Sequence, residues 1–529
     1  MSLVVNNLSY YHSNGEKLFS SVSFSIPKGA KVALIGPNGS GKSTLLKILV
    51  GIKEPTEGAF VLSPKYFYLP QQFNESAEKT VAEILGVDKK LKALHGILKG
   101  SADLQLFQDL DDDWEIESRI DRCLALWKLD YLDLNRKIGS LSGGEKTKIA
   151  MVRILLEEPE VLLFDEPSNH LDAESRSILY QFIKESTGSI LVISHDRALL
   201  NHLDVTLELT PNGVETYGGN YEFYKNQRNQ KDYALQSRLE EQEKNIKQSL
   251  QRTQQLVEQR QKRESRGKAH TAKAGLPRII AGALGSKAQE TSSRMTAQQE
   301  DKVSQMKENL VTIQHQIKEV LPLKIELKSS DLHKGKLLVE AEGLNVVYGK
   351  KNLWSNPLQL KIHSGDRVHL LGANGSGKTT LMRLIQSESI NFVGKLYVAD
   401  FKSLYIDQDY SLLDEEKTLV EQLQQYNNRA LPEHELKTFL HRHQFPYSVW
   451  NKKGKDLSGG EKMKLLLCCM RISQESTDVL FLDEPTNNID IYSQEILTDV
   501  IKNYQGTLIV VSHDSYFVEQ IGLDKKIDL

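Results

Sequence analysis

The sequence predicts an α/β protein: two domains of one kind joined by an antiparallel α-helical coiled-coil hairpin. Three observations predict it. One set of short motifs occurs twice in the same order, and 29 residues separate the acid from the histidine in both copies, Glu166 to His195 and Glu484 to His513. An internal repeat this close means two copies of one unit. Each copy also carries unbroken apolar runs, such as Val161-Leu162-Leu163-Phe164, the pattern of strands buried on both faces of a parallel sheet. Between the copies, Lys225–Lys334 carries 22 Lys+Arg against 13 Asp+Glu, a balance of +9, while the rest of the chain stands at −12.

At 529 residues the chain exceeds what one hydrophobic core serves and suits two or three domains. The expected bounds are 1–222 and 335–529 for the repeated domains, with 223–334 as the linker. The start, Met1-Ser2-Leu3-Val4-Val5, has no basic segment followed by an apolar run, so no secretory signal is expected. No window approaches the ~18 apolar residues of a membrane helix. Cys123, Cys468 and Cys469 have neither metal-ligand spacing nor the makings of a disulfide framework, which points to a reducing, cytoplasmic compartment.

In the first copy, the strand-like Lys31-Val32-Ala33-Leu34-Ile35 runs into Gly36-Pro37-Asn38-Gly39-Ser40-Gly41-Lys42-Ser43 and then an apolar helical pattern at Leu45, Leu46, Ile48 and Leu49. This is G-x-x-x-x-G-K-S in its strand–loop–helix context. Glycines let backbone N–H groups curl round a phosphate, and the helix N-terminus adds its positive end. Lys42 is expected to reach the terminal phosphates and Ser43 to ligate Mg²⁺. A second acidic site must hold the metal and activate water. The run ending in Asp165-Glu166 supplies it, with Asp165 on Mg²⁺ and Glu166 polarising the attacking water. Leu141-Ser142-Gly143-Gly144-Glu145 opens another helix, a further anion-binding end. The strand-like Ile190–Ile193 leads to Ser194-His195-Asp196, which makes His195 a sensor of the terminal phosphate.

Together, Gly36–Ser43, Gln71, Leu141–Glu145, Asp165-Glu166 and His195 resemble the nucleotide-binding domain of the ATP-binding cassette (ABC) superfamily. The resemblance implies two ABC-type P-loop ATPase domains that bind ATP and Mg²⁺. It makes Gln71 a ligand of Mg²⁺ and water. It makes Tyr11 the residue stacked on adenine, with Tyr10 and His12 as alternatives. Gly36, Asn38, Gly39, Gly41 and Thr44 complete the phosphate loop. The second copy repeats the set: Gly372, Asn374, Gly375, Gly377, Lys378, Thr379 and Thr380 in the loop, Gln408, Ser458-Gly459-Gly460, Asp483-Glu484, His513, and Tyr348 for adenine. Thr379, Gln408 and Asp483 are its expected metal ligands. In the superfamily one domain's signature helix covers the other's bound ATP. Lys42, Ser43, Asp165, Glu166 and His195 would therefore face Ser458 and Gly460, and Lys378, Thr379, Asp483, Glu484 and His513 would face Ser142 and Gly144. Two intact acids and two histidines predict hydrolysis at both sites, in a monomer that pairs its own domains.

Gln71 to Ser142 spans 71 residues but Gln408 to Ser458 spans 50, so the first copy holds about 21 extra, placed within Gly86–Trp114 and expected to be a solvated loop, or a short contact arm. No further domain is expected after His513.

Asp165-Glu166-Pro167-Ser168-Asn169-His170-Leu171-Asp172, Asp483–Asp490 and Tyr217-Gly218-Gly219-Asn220-Tyr221-Glu222-Phe223-Tyr224 resemble the ABC-F family, soluble tandem ATPases of translation. The usual Thr is Ser168 here. The resemblance implies the ribosome as partner, with rRNA and tRNA met by Lys225–Lys334 near the tRNA exit site and the peptidyl-transferase centre. It points to ribosomal protection against antibiotics, with a housekeeping factor for stalled ribosomes as the alternative and a transporter subunit further off. The linker suits such a task. Leu239, Ile246, Leu250 and Val257 make a thin helical stripe, and Val303, Met306, Leu310, Ile313, Ile317 and Val320 a coiled-coil seam. Between them Arg260–Arg294 carries nine Lys/Arg against Glu264 and Glu290, with the apolar Gly275–Leu284 at its centre. Such a tip suits phosphate-backbone contact.

Overall fold

The computed structural model describes residues 2–13, 15–71, 76–169, 171–273, 304–305, 325, 327–328, 330–349, 351–373 and 375–529. By its contacts the chain divides into Met1–Tyr224 with Leu323–Leu529, which holds both repeated domains, and Lys225–Pro322.

Each repeated domain is built round a parallel sheet. In the first the strand order is Tyr66–Leu69, Val161–Asp165, Ser189–Ile193, Lys31–Ile35, Val205–Thr210, Gly213–Tyr217, parallel except for the last hairpin. In the second it is Ser403–Ile406, Val479–Asp483, Thr507–Val511, Arg367–Leu371, Lys525–Asp528, all parallel. The apolar runs that predicted doubly covered strands are buried throughout, Val161–Asp165 and Ser189–Ile193 at every residue. One face packs against the phosphate-loop helix, Lys42–Leu49 or Lys378–Ile385, and an antiparallel sheet; the other packs against the remaining helices. The acids and the phosphate loops thus lie at the carboxyl ends of strands that flank the histidine-bearing strand, where open parallel sheets bind ligands.

The extra residues of the first domain are not a solvated loop. They form helices Asp88–Leu98 and Leu104–Leu110, packed beside helix Ile116–Leu126. Asp113, shielded from water, accepts hydrogen bonds from Lys90 at 3.0 Å and from Arg119. The neighbouring Asp111 and Asp112 are exposed, so of these three acids Asp113 is the one drawn into the packing, and a paired acid and a free one look alike in sequence.

The helix Tyr221–Lys273 spans 53 residues, the first four in the first unit and the rest in the second. Partly covered positions recur at Asp232, Leu235, Leu239, Gln242, Ile246 and Ser249, a 3–4 spacing that makes one stripe along the helix. The seam residues Val303, Met306, Leu310, Ile313, Ile317 and Val320 and the tip segment Gly275–Leu284 lie outside the described residues.

Candidate functional site

Each phosphate loop leaves its strand through a glycine. Gly36 sits at φ +153°, where a Cβ would lie 2.7 Å from the Leu209 carbonyl oxygen, so a side chain is excluded there on steric grounds. Lys42 Nζ folds back to donate to the Gly36 and Pro37 carbonyls at 2.8 and 3.0 Å. Lys378 does the same to Gly372 and Ala373 at 2.8 and 3.0 Å. Ser43 Oγ donates to Asp165 Oδ1 at 3.0 Å, and Thr379 Oγ1 to Asp483 Oδ2 at 2.6 Å. Loop hydroxyl and strand-end acid therefore meet in both copies.

The second acid of each pair is held in unusual backbone. Glu166 and Glu484 have φ of +54° and +50°, a left-handed conformation that costs of order 1 kcal/mol for such residues. Their N–H groups donate to Ile193 and Val511 carbonyls across the sheet at 2.8 and 2.9 Å. This turn aims the carboxylates at the histidines. His195 and His513 donate their backbone N–H to Glu166 and Glu484 Oε2 at 3.3 Å, and the rings stand 3.4 Å from the other carboxylate oxygens. Oε1 of both glutamates is buried without a hydrogen-bond partner.

Burial sets the electrostatics. It pushes the Glu166 carboxyl up to about 8, with Asp165 adding to the rise, and Glu484 up to about 6. His195 is held down to about 3 and His513 to about 4, by burial first and then by Lys42 and Lys378. Burial lowers Lys42, against the opposing pull of Glu166, Asp490 and Asp165. The histidines are neutral at pH 7 and can donate or accept as the tautomer requires.

A cleft of about 490 Å³ in the first copy is lined by Asn38, Gly39, Gly41, Lys42, Ser43, Thr44, Gln71, Asp165, Glu166 and His195, and across from them by Ser458. Of the residues expected from the opposite signature, Ser458 lines this cleft. Gly459 and Gly460 stand beside Ser458 without lining the cleft. The domains are joined at this point by Asn38, whose backbone N–H donates to Asp490 Oδ2 at 2.8 Å. The second cleft, about 600 Å³, is lined by Tyr348, Gly375, Gly377, Lys378, Thr379, Thr380, Gln408, Asp483 and Glu484. Its described lining contains no residue of the first domain. Ser142 and Gly143 are exposed, whereas Ser458 and Gly459 are half-buried and Gly460 buried. The structure thus brings one signature to its site and leaves Ser142 and Gly144 away from the other. Arg176 of the first domain does reach over, donating to the His513 carbonyl at 3.5 Å. Gly36 and Gly372 start the loops behind the clefts, and Asn374 lies outside the described residues.

Tyr11 does not line the first cleft; His12 does. The pairing of strand Leu3–Tyr11 with Lys17–Ile26 shifts register between Tyr10 and Tyr11, and a one-residue shift moves a side chain to the other face. Tyr405 escaped the sequence reading: its hydroxyl donates to Asp483 Oδ2 at 2.7 Å. Its counterpart Tyr68 stands near Asp165. Both tyrosines lie three residues before a loop glutamine, Gln71 or Gln408, a repeat that could have revealed them.

These groups fit a nucleotide with Mg²⁺. The Ser43/Asp165 and Thr379/Asp483 pairs present hard oxygen donors to a cation that prefers few protein ligands, and buried hydroxyls at Ser40 and Ser376 have no hydrogen-bond partner. Bound there, Mg²⁺ would neutralise charge developing on the phosphates.

The model of the ABC transporter family matches residues 19–169 and 355–487. "ABC transporter F family member 2" of Arabidopsis thaliana is 30% identical over 536 residues, covering 96% of this chain and 74% of that one. "Energy-dependent translational throttle protein EttA" of Escherichia coli K12 is 28% identical over 534 residues, covering 96% and 88%. In fold the chain is similar to a solved structure titled "RNase-L Inhibitor", with TM-score 0.53, 20% identity and coverage of 98% and 86%. No helix among the described residues is long and apolar enough to cross a membrane. With its duplicated loop, acid, signature and histidine set, the chain belongs to the ABC-F family of ATP-binding cassette proteins and is an ATPase.

Proposed function

We propose that this ATPase is a cytoplasmic translation factor that works on the ribosome as a two-state clamp, with cassettes at 1–222 and 335–529 and a linker at 223–334 as its ribosome-facing arm. The observation that carries this reading is the match to a translational throttle protein over 96% of the chain, the linker as well as the cassettes. Magnesium-ATP binds between the phosphate loop of one cassette and the signature of the other. Lys42 and Lys378 turn from the loop carbonyls to the phosphates, and Glu166 and Glu484 orient water under the neutral histidines. Gln71 and Gln408, which line the two clefts, serve as metal and water contacts. The basic linker residues meet phosphates of rRNA or tRNA. In the variant Glu166→Gln/Glu484→Gln, ATP should persist and the protein should sediment with ribosomes when ATP is supplied. A double variant that stays in the free fraction with ATP would end the reading.

A second reading gives the linker tip a narrower task, protection of the peptidyl-transferase centre against antibiotics. Its support is the nine Lys/Arg between Arg260 and Arg294. Expression in a drug-sensitive host should raise inhibitory concentrations for drugs acting at that centre; unchanged sensitivity across the panel would leave a translation factor without a resistance role.

A further inference from the structure

The repeat breaks beside both nucleotide sites. After Asp172 the first cassette continues Ala173-Glu174, but after Asp490 the second continues Ile491-Tyr492. After Asp196 the first continues Arg197-Ala198, but after Asp514 the second continues Ser515-Tyr516. Phosphate chemistry does not call for either tyrosine. Both reach the first turn of the helix Tyr221–Lys273.

Tyr492 acts from the first site. Asp490 takes the Asn38 N–H of the phosphate loop and also caps its own helix by accepting from Ser493 N at 2.7 Å. Ile491 is buried in the core of the first cassette, in the cluster that holds Tyr217, Tyr221 and Tyr224. The Tyr492 hydroxyl donates to Glu208 Oε1 and stands 2.9 Å from the Tyr224 hydroxyl. Three consecutive residues therefore touch the phosphate loop, the first cassette's core and the helix base.

Tyr516 acts from the second site, three residues beyond His513. Its hydroxyl donates to Glu222 Oε1 at 3.1 Å and accepts from Asn201 Nδ2. Asn201 Oδ1 in turn accepts the Glu222 N–H at 3.0 Å, one of the backbone donors that a helix start leaves without an internal partner. The first helical turn is thus held at Glu222 by one tyrosine and at Tyr224 by the other.

We propose that Tyr492 and Tyr516 are positioning residues that couple the two ATP sites to the first turn of the helix Tyr221–Lys273. The proposal rests on the ATP reading and adds the route by which site closure reaches the linker. Withdrawal of Asp490 from Asn38 carries Tyr492 away from Glu208 and Tyr224. Displacement of the His513 segment carries Tyr516 from Glu222. A chain of hydroxyls and carboxylates that is either complete or broken is a two-state element that both sites bias.

Hydrogen exchange tests it on the full chain carrying Glu166→Gln/Glu484→Gln, with and without magnesium-ATP. ATP should slow exchange in residues 218–226 by about 5-fold or more. Adding Tyr492→Phe and Tyr516→Phe, which keep the rings, should cut that slowing below about 2-fold while ATP protection of 36–43 persists. Glu222→Ala, at an exposed position that does not put folding at risk, should remove part of it. Slowing at 218–226 that survives both phenylalanines overturns the coupling. So does faster exchange by the same factor with and without ATP, the mark of a merely structural role. A phosphate loop protected by ATP while 218–226 is indifferent overturns the coupling alone; a loop that ATP does not protect in the parent overturns the ATP reading and the coupling with it.

Discussion

Asp490, at the start of a helix in the second cassette, accepts a hydrogen bond from the backbone N–H of Asn38 in the phosphate loop of the first, at 2.8 Å. The residues are 452 positions apart, yet the bond ties the phosphate loop of one cassette to the other. Asp490 is buried, which favours its neutral form, but the hydrogen bonds from that N–H and from Ser493 outweigh burial and hold its carboxyl below the usual range.

Asp490→Ala should therefore weaken closure of the first site. Loss of the cap costs about 1 kcal/mol of helix stability, and loss of the bond to a charged acceptor costs about 1.5–3 kcal/mol of closure. Single-turnover hydrolysis in a Glu484→Gln background, where the first site alone works, should fall about 10-fold or more. In a Glu166→Gln background it should change far less. Equal losses in both backgrounds would count against a site-specific role.

The two acids should give two pH limbs. A carboxylate acts as base when ionised, so activity rises with pH through its pKa, and kcat/KM reports the free enzyme. With Glu166 raised to about 8 and Glu484 to about 6, the Glu484→Gln variant should show a rising limb near pH 8 and the Glu166→Gln variant one near pH 6. Superimposed profiles would contradict the unequal burial of the two sites.

Gly460→Ala should damage the signature that serves the first site. A Cβ there would lie 2.4 Å from Ser493 Oγ, and the overlap should cost about 1–3 kcal/mol. Thermal unfolding should fall, and the Michaelis constant for ATP should rise in the Glu484→Gln background. An unshifted melting temperature would show that the helix carrying Ser493 moves aside freely.

Much of this was legible in the sequence for reasons that can be named. The strand Val161–Asp165 could be read because burial on both faces leaves no polar position. Lys42, Ser43, Asp165 and His195 could be read because phosphate chemistry fixes their types and the fold fixes their order. Contacts between the cassettes could not. Asn38–Asp490 joins a backbone N–H to a side chain 452 residues away, and no local pattern records it. The sequence favours Tyr11 over His12 because a register shift in a strand leaves no trace in composition. The unequal exposure of Ser142 and Ser458 is likewise invisible, since both read Leu-Ser-Gly-Gly-Glu and both make the same capping box. Tyr492 and Tyr516 were legible in principle, as places where an otherwise close repeat diverges.

A single chain should close its own first ATP site with its second cassette. Asn38 Nδ2 lies 3.5 Å from the Asn488 carbonyl oxygen, so cysteines at 38 and 488 should be joined by a short bis-maleimide when the site closes. In a Glu166→Gln/Glu484→Gln background, the crosslinked single chain should form faster with magnesium-ATP than without nucleotide. Crosslinks that form only between two chains, or at a rate indifferent to ATP, would contradict it.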